Sequence, residues 1–190
     1  MKKKNLFMAA FLLSVLVIGS SAAMAISGEA MGNPFGSGEK ITKFVAGYFK
    51  IPEAELVKIA DKCEYPDDTL AVLMVSKLSG KKFSDIAGMR TRGMSWDAVL
   101  AKTGTEPSKL FFKVKSGKIP PLFTDAYKQY DKKQKNKSFV IKLKDRDVRY
   151  LCGVKFVTEA FGKDPMETME SFDNRITFVK IVYDLVEAGK

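Results

Sequence analysis

The segment PDDTLAVLMVSKLSGKKFSDIAGMRTRGMSWDAVLAKTG, residues 66–104, sets the helical pattern that the rest of the chain follows. Its apolar residues recur at intervals of three and four, which indicates α-helices rather than strands. Pro66 suits the first turn of a helix, Ser95 suits an N-cap, and Gly80 and Gly104 suit helix ends. The segment therefore predicts three helices, over residues 66–79, 84–92 and 96–103.

The same order of apolar residues and helix breakers returns 82 residues later in the chain. Matching pairs at this offset are Val72 with Val154, Gly80 with Gly162, Lys81 with Lys163, Ser95 with Thr177 and Trp96 with Phe178. Because turn-forming and capping residues agree as well as apolar ones, we interpret the pattern as a duplicated helical unit. Chance similarity between amphipathic helices is the alternative.

Proline and glycine positions predict further helices on both sides of the first segment. These helices are expected at 41–50, from Pro52 onward, at 107–115, at 145–161, from Pro165 onward and at 176–188. Two prolines prevent the segment 119–123 from starting as a helix, so we expect it to be extended. In the segment 139–144, Phe139, Ile141 and Leu143 alternate with the other three residues, a pattern typical of an extended segment with one buried side.

Together these patterns predict an all-α fold. We expect a single compact domain of two duplicated, helix-turn-helix-like units, residues 41–117 and 145–190. An extended connector rich in proline and lysine, residues 118–144, joins the two units.

Residues 1–25 have the three parts of a bacterial secretory signal peptide: a cationic start, an apolar run and the small-x-small pattern Ala23-Met24-Ala25. We expect cleavage before Ile26, followed by a flexible, Gly-rich leader over residues 26–40. An uncleaved membrane anchor is the alternative, but a span needs ~20 apolar residues and Gly19 interrupts this run. The sequence therefore predicts a periplasmic or secreted protein with no transmembrane span after cleavage.

The chain contains no histidine and two cysteines, and this composition excludes several kinds of site. Nucleophile systems of the Ser-His-Asp and Cys-His types need histidine. A four-thiolate metal site and a CxxCH haem attachment are excluded as well. We assign no catalytic residue, no metal and no cofactor from the sequence.

The two cysteines, Cys63 and Cys152, are expected to form a disulfide in an oxidising compartment. They lie 89 residues apart, and closing a loop of that length would stabilise the fold by about 4–5 kcal/mol on the chain-entropy model. The alternative is two separate buried thiols that behave as small apolar side chains.

Lysines concentrate in the connector, and they indicate an anionic partner. Removal of residues 1–25 lowers the formal net charge of the chain from +10 to +7. The candidate residues for binding a partner or an anionic surface are Lys128, Lys132, Lys133, Lys135, Lys137, Tyr127 and Tyr130. Clustered cations interleaved with aromatic rings can hold an anionic surface through many summed contacts. A solvated linker is the alternative for the same residues.

Residues 95–117 are similar to a helix-turn-helix, with a glycine turn and a basic second helix. Phe111 and Phe112 stand where a recognition helix would expose polar side chains that read bases. An exported protein rarely meets a genome, so we do not expect a nucleic-acid partner.

Three groups of carboxylates could support acid–base chemistry or bind a divalent ion. They are Asp67 with Asp68, Asp145 with Asp147, and Glu167 with Glu170 and Asp173. The first two groups lie at predicted helix starts, where capping and the helix dipole already account for them. The third lies on a short amphipathic helix whose polar side needs charged residues.

Three parts of the chain form a recognisable pattern: MRTRGMSW at residues 89–96, PPLFTDAYKQY at residues 120–130, and the helix 148–162 followed by Pro165. In these parts the chain resembles an uncharacterised family of small exported helical proteins from Gram-negative bacteria, and the first two parts are the specific ones. The resemblance covers residues 66–190 and implies export and two internal helical repeats. It implies no activity, cofactor or catalytic residue.

We therefore expect a non-enzymatic binding protein of the cell envelope that contacts a partner protein or an anionic surface. A small carboxylate-dependent hydrolase or metal-dependent enzyme is the first alternative. A helix-turn-helix protein that binds nucleic acid is the second.

Overall fold

A computed structural model describes residues 34–36, 39–114, 119–172 and 176–189. The predicted signal peptide, residues 1–25, lies outside the described residues, as does most of the predicted leader. The described residues belong to one compact unit, Gly32–Lys190.

All regular secondary structure in the described ranges is helical, so the predicted all-α class is confirmed. In chain order the elements are α1 Lys40–Phe49, α2 Glu53–Ala60, α3 Pro66–Ser79, α4 Phe83–Thr91, α5 Trp96–Thr103, a 3-10 turn Pro107–Leu110, α6 Pro121–Lys135, α7 Asp145–Phe161, α8 Pro165–Ser171 and α9 Phe178–Glu187. None of these helices is both long enough and apolar enough to cross a membrane.

Helices α3 and α7 pack against each other at the centre of the unit. Six consecutive residues of α3, 70–75, are buried, because the helix is apolar on every side and is surrounded by others. The largest fully buried side chains around this pair include Trp96, Phe123, Phe156 and Phe178. Gly153 of α7 lets Phe178 approach the backbone, since a Cβ there would lie 2.2 Å from Cγ of Phe178.

Local capping residues fix several helix ends where the sequence predicts them. Gly104 and Gly162 both adopt a left-handed conformation, with φ of 71° and 65°, and end α5 and α7. The side chains of Ser95 and Thr177 accept hydrogen bonds from backbone N–H groups in the first turns of α5 and α9. The predicted bounds of α5 are confirmed at both ends.

The helix predicted over residues 107–115 is wrong. A 3-10 turn covers Pro107–Leu110, and the backbone is then non-helical from Phe111 to residue 114. An extended backbone sends successive side chains to opposite sides. Phe111 accordingly stacks on Tyr130 of α6, whereas Phe112 lies beneath the amine of Lys155 of α7. These two contacts need an extended chain.

The prediction that the connector is extended holds for only part of residues 118–144. Helix α6 occupies Pro121–Lys135, with Pro120 in extended conformation just before it. Proline is harmless at the first helical position, because the N–H that it lacks would have no helical partner there. Residues 136–144 contain no regular structure, and in them Ile141 and Leu143 are buried whereas Lys142 is exposed. The predicted alternation is therefore confirmed for this segment.

Cys63 and Cys152 are free thiols in the structure, so the expected disulfide is not formed there. Cys152 is completely buried in the middle of α7, whereas Cys63 is half-buried in the turn that follows α2. Cys152 thus packs as a small apolar residue of the core.

Candidate functional site

Three of the four lysines of α6 lie on the side of the helix that faces solvent. Lys128, Lys132 and Lys135 are spaced by four and three residues, which places them on one stripe of an α-helix. The opposite side carries Phe123 and Ala126, which are buried against the core. The amphipathic pattern of α6 therefore directs these three amines outward.

The segment 136–144 is fastened along α6 by hydrogen bonds. The Gln129 side chain donates to the carbonyl oxygen of Lys142 at 2.8 Å and accepts from its backbone N–H at 2.9 Å. The amine of Lys133 donates to the carbonyl oxygen of Lys137 at 2.6 Å. The lysines of this segment are consequently held beside those of the helix.

We call the exposed lysines of α6 and of this segment the lysine face. Its members are Lys128, Lys132, Lys135, Lys137, Lys142 and Lys144. The amine of Lys128 lies 4.0 Å from Asp125, and Asp131 is a second exposed carboxylate on the same helix. Among the described residues, no carboxylate lies within 4.0 Å of the other five amines. The face therefore presents cations that the described part of the fold does not neutralise.

Of the two tyrosines that the sequence groups with these lysines, Tyr127 is buried and Tyr130 is half-buried against the core. Tyr127 is 4% exposed, and its hydroxyl donates to the carbonyl oxygen of Phe112. Burial raises the pKa of Tyr127 to about 12. The ring of Tyr130 stacks on that of Phe111, with centroids 4.6 Å apart. Lys133 also turns away from solvent, with its amine 3.8 Å from Glu106.

The sequence-predicted binding residues thus divide into two groups. Lys128, Lys132, Lys135 and Lys137 come together on a solvent-exposed surface. Tyr127 and Tyr130 attach α6 to the core, where the ring of Tyr130 is already stacked on that of Phe111. The helical period of α6 was the signal that could have separated the two groups.

A second concentration of charge is buried where α3, α4, α5 and α7 meet, and we call it the Asp68 cluster. It consists of Asp68, Arg90, Trp96, Asp145 and Arg149. Asp68 is at its centre, with its side chain 3% exposed. Its carboxylate accepts a hydrogen bond from the Trp96 indole at 2.7 Å and lies 3.7 Å from the Arg90 guanidinium.

Asp145 and Arg149 are the remaining charged members of the Asp68 cluster. Asp145 accepts from the guanidinium of Arg90 at 2.8 Å and from the backbone N–H of Trp96 at 2.7 Å. The guanidinium of Arg149 lies 3.8 Å from Asp68 and 4.5 Å from the centre of the Tyr65 ring. Each charge therefore has an opposite charge within the cluster, which is what a buried ion needs to be tolerated.

An open cavity of about 420 Å³ borders the Asp68 cluster. Cys63, Asp68 and Arg90 are among its lining residues. Burial raises the pKa of the Cys63 thiol to about 11, so the thiolate, which is the nucleophilic form, is scarce near neutral pH. The cavity therefore lacks an activated nucleophile at this cysteine.

A third polar group joins α1, α3 and α7. The hydroxyl of Tyr48 donates to Glu159 at 3.0 Å, and the amine of Lys77 lies 2.6 Å from that hydroxyl and 2.8 Å from Glu159. Burial alone would raise the pKa of Glu159, but hydrogen bonds from Lys77, Lys155 and Tyr48 outweigh it and lower the pKa below its ordinary value. Burial raises the pKa of Tyr48. The group is thus an ion pair with a protonated phenol.

The carboxylates considered for acid–base chemistry serve mostly as helix caps. Asp67 accepts from the backbone N–H of Val179 at 3.0 Å, and Asp147 accepts from that of Lys144 at 3.2 Å. Burial raises the pKa of Asp67, against the opposing effect of the N–H groups at the start of α9. Glu167 and Glu170 are exposed on α8, and Asp173 lies outside the described residues. Within the part of the chain that is described, no three Cys, Asp or Glu side chains group as metal ligands.

Comparison of the chain with protein-family models, with curated proteins and with solved structures found no match. The resemblance to a family of exported helical proteins therefore stays a prediction.

Proposed function

We propose that the chain is an exported, non-enzymatic binding protein of the cell envelope, and that its lysine face contacts an anionic surface. The observation that carries the proposal is the outward stripe of Lys128, Lys132 and Lys135 with the segment 136–144 fastened beside it. Lysines in the last turn of a helix also complement its dipole. That effect accounts for charge at the end of α6 but not for Lys142 and Lys144, which lie beyond it.

Electrostatics favours an extended anionic partner over a small one. The amines of the lysine face are distributed along a helix and the segment beside it. Each lysine near an anionic membrane surface contributes about 1 kcal/mol. Several such contacts add up, and all of them weaken as salt screens the charges.

Export is part of the same proposal. It rests on the composition of residues 1–25, which lie outside the described residues, and on the family resemblance. Fractionation of cells that express the full chain, followed by N-terminal sequencing, tests it. We expect a product that begins at Ile26 outside the cytoplasm, and an uncut product in the cytoplasm would contradict export.

We also infer that α3–α4–α5 and α7–α8–α9 descend from one duplicated unit. One residue pair related by the 82-residue offset and one reciprocal pair of helix caps between the halves support this inference. Lys77 pairs with Glu159, its counterpart in the other half, across the α3–α7 contact. Asp67 of the first half caps α9, and Asp145 of the second half caps α5. An alignment of homologues in which the two halves resemble each other no more than unrelated helices do would refute it.

Binding to polyanions and vesicles tests the lysine face directly. The variant is Lys132→Gln/Lys135→Gln/Lys137→Gln, and the matched control is Lys58→Gln/Lys62→Gln/Lys81→Gln, which removes three exposed lysines elsewhere. We expect the first variant to lose about 100-fold in affinity for anionic vesicles and the control to lose far less. Equal losses would show that net charge, not this face, governs binding.

A further inference from the structure

The segment that carries part of the lysine face also has one strongly exposed apolar side chain, that of Val140. Val140 is 68% exposed, more than any other large apolar side chain in the described part of the chain. It lies between Lys137 and Lys142 in the fastened segment 136–144. A lone exposed valine is ordinary on a protein surface, so its exposure alone carries little. It also borders an open cavity that Lys133, Glu106 and Asp97 help to line. Its exposure in a segment that carries exposed lysines is what needs an explanation.

The alternation of the segment fixes where Val140 points. Ile141 and Leu143 are buried, so the residues between and beside them face outward. Val140 and Lys142 therefore project on the same side, away from the core. The amine of Lys132 lies 5.9 Å from the Phe139 ring, which places a cation of α6 close to the base of Val140.

The segment is already held in this conformation before any partner binds. The Gln129 side chain bonds both backbone groups of Lys142, and Lys133 bonds the carbonyl oxygen of Lys137. The ends that flank Val140 are thus tied to α6. Contact by a preformed segment avoids the entropy cost of ordering a loop.

We propose that Val140 enters the boundary between headgroups and acyl chains of an anionic phospholipid bilayer, while the amines of the lysine face contact the headgroups. This inference rests on the proposed function, and it selects a bilayer over a soluble polyanion. Membrane-surface binding combines buried apolar area with attraction to anionic lipids, and an exposed apolar side chain in a segment that carries exposed lysines supplies both. A soluble polyanion offers no apolar phase that Val140 could enter.

The test compares vesicles with a soluble polyanion. The vesicles contain phosphatidylglycerol and phosphatidylethanolamine, and the polymer is inorganic polyphosphate. The variant Val140→Ser removes the apolar tip, and Ile176→Ser is the control, because Ile176 is an exposed β-branched residue outside the segment. We expect Val140→Ser to weaken vesicle binding about fivefold to tenfold, with polyphosphate binding unchanged and with Ile176→Ser unchanged on both.

A second variant reports insertion without relying on affinity. In Val140→Trp, emission of the new indole should shift to the blue on addition of vesicles and should stay unshifted with polyphosphate. The native Trp96 is fully buried, so it contributes a constant background.

The outcomes separate this inference from the proposed function. Suppose that the wild-type protein binds anionic vesicles, that Val140→Ser binds equally well and that Val140→Trp shows no shift. The proposed insertion of Val140 is then wrong, whereas the proposal that the lysine face binds an anionic surface is still supported. An equal loss on vesicles and polyphosphate would also overturn insertion, because Val140 would then act on the shape of the segment. If the wild-type protein binds neither anion, or binds only a protein from an envelope extract, the proposed function fails as well.

Discussion

The Asp68 cluster has four charged side chains and the lysine face has six, and the two regions differ in whether these charges are paired. In the cluster, Asp68 and Asp145 meet Arg90 and Arg149 at distances of 2.8–3.8 Å, and the side chain of Asp68 at the centre is 3% exposed. In the lysine face, one of six amines has a carboxylate within 4.0 Å among the described residues, and all six are exposed.

The difference shows which charged residues the stability of the fold depends on. A buried charge without a partner costs several kcal/mol, so the charges of the cluster are constrained by stability. An exposed lysine costs almost nothing to keep or to lose, so the lysine face is free to serve binding. We therefore expect substitutions in the Asp68 cluster to lower the stability of the protein most, and substitutions in the lysine face to change it little.

The largest effect is expected from Asp68→Ala. The substitution leaves the guanidinium groups of Arg90 and Arg149 without their shared carboxylate and the Trp96 indole without its acceptor. Breaking a buried pair in this way costs about 3–5 kcal/mol of unfolding free energy, measurable by urea denaturation. Asp125→Ala on the exposed side of α6 is the control and should change stability by less than about 0.5 kcal/mol.

If Asp68→Ala does not fold, Asp68→Asn keeps the test open. Its amide oxygen can still accept from the Trp96 indole, so part of the stability should remain. Equal small losses for Asp68→Ala and Asp125→Ala would contradict the contrast between the two regions.

A smaller effect is expected from Gly153→Ala, which probes the packing next to the cluster rather than its charge. The added Cβ would lie 2.2 Å from Cγ of Phe178 and 2.7 Å from Cβ of the same residue. Because Cβ is fixed to the backbone, α9 must shift. Overpacking of this kind costs about 1–3 kcal/mol.

Gly47→Ala is the matched control, since its added Cβ meets no atom within 4 Å and Gly47 lies in an exposed position of α1. It should stabilise the protein by about 0.5–1 kcal/mol, the helix preference of alanine over glycine. Thermal unfolding of the two variants should therefore move in opposite directions, and parallel shifts would refute the close approach of α7 and α9.

Glu159 should contribute a modest, pH-dependent part of the stability. Its pKa is lowered in the folded protein, so its contribution is present above its ordinary pKa of 4.5 and is lost as the pH falls through the folded value. Because its side chain is 29% exposed, the difference from Glu159→Gln should be only about 0.5 kcal/mol at neutral pH. Chemical denaturation at a series of pH values should show that difference shrinking below pH 4.5, and a constant difference would contradict the ion pair.

The lysine face should leave stability almost unchanged. Lys132→Gln/Lys135→Gln/Lys137→Gln removes three amines that have no carboxylate within 4.0 Å among the described residues, so the unfolding free energy should stay within about 0.5 kcal/mol of the wild type. A slight gain would follow from reduced repulsion, offset by weaker interaction with the dipole of α6. A loss above 2 kcal/mol, on the order of a core substitution, would show that these lysines belong to the fold.

The sequence predicts those parts of the molecule whose causes are local. Ser95, Gly104 and Gly162 specify helix ends through their own backbone and side-chain chemistry, and these ends lie where they were expected. The prediction of an extended chain over residues 119–123 is wrong at the start of α6, although the cause is also local, because Pro121 occupies the first helical position, where proline is harmless.

Parts that depend on distant residues could not be predicted. The extended conformation of Phe111 and Phe112 is set by α6 and α7, and no local pattern records those contacts. The Asp68 cluster gathers side chains from four helices, so each one looks like an isolated charge in the sequence. Of the candidate site, the lysines were found from their density, whereas the burial of Tyr127 required the orientation of α6.

The smallest effect on stability is expected from reduction with dithiothreitol, and it decides whether the region around the Asp68 cluster is held by noncovalent contacts alone. Cys63 lines the cavity beside the cluster, and Cys152 is buried in α7, both as free thiols. With no bond to reduce, the urea midpoint should be the same with and without the reductant, and a thiol assay in denaturant should find both cysteines reactive. A disulfide between them would instead cost about 4–5 kcal/mol when reduced, by the chain-entropy model. Suppose that the reductant lowers the unfolding free energy by that amount and that no thiol reacts before reduction. A disulfide, and not only the pairing of Asp68 with its arginines, would then make this region more stable than the lysine face.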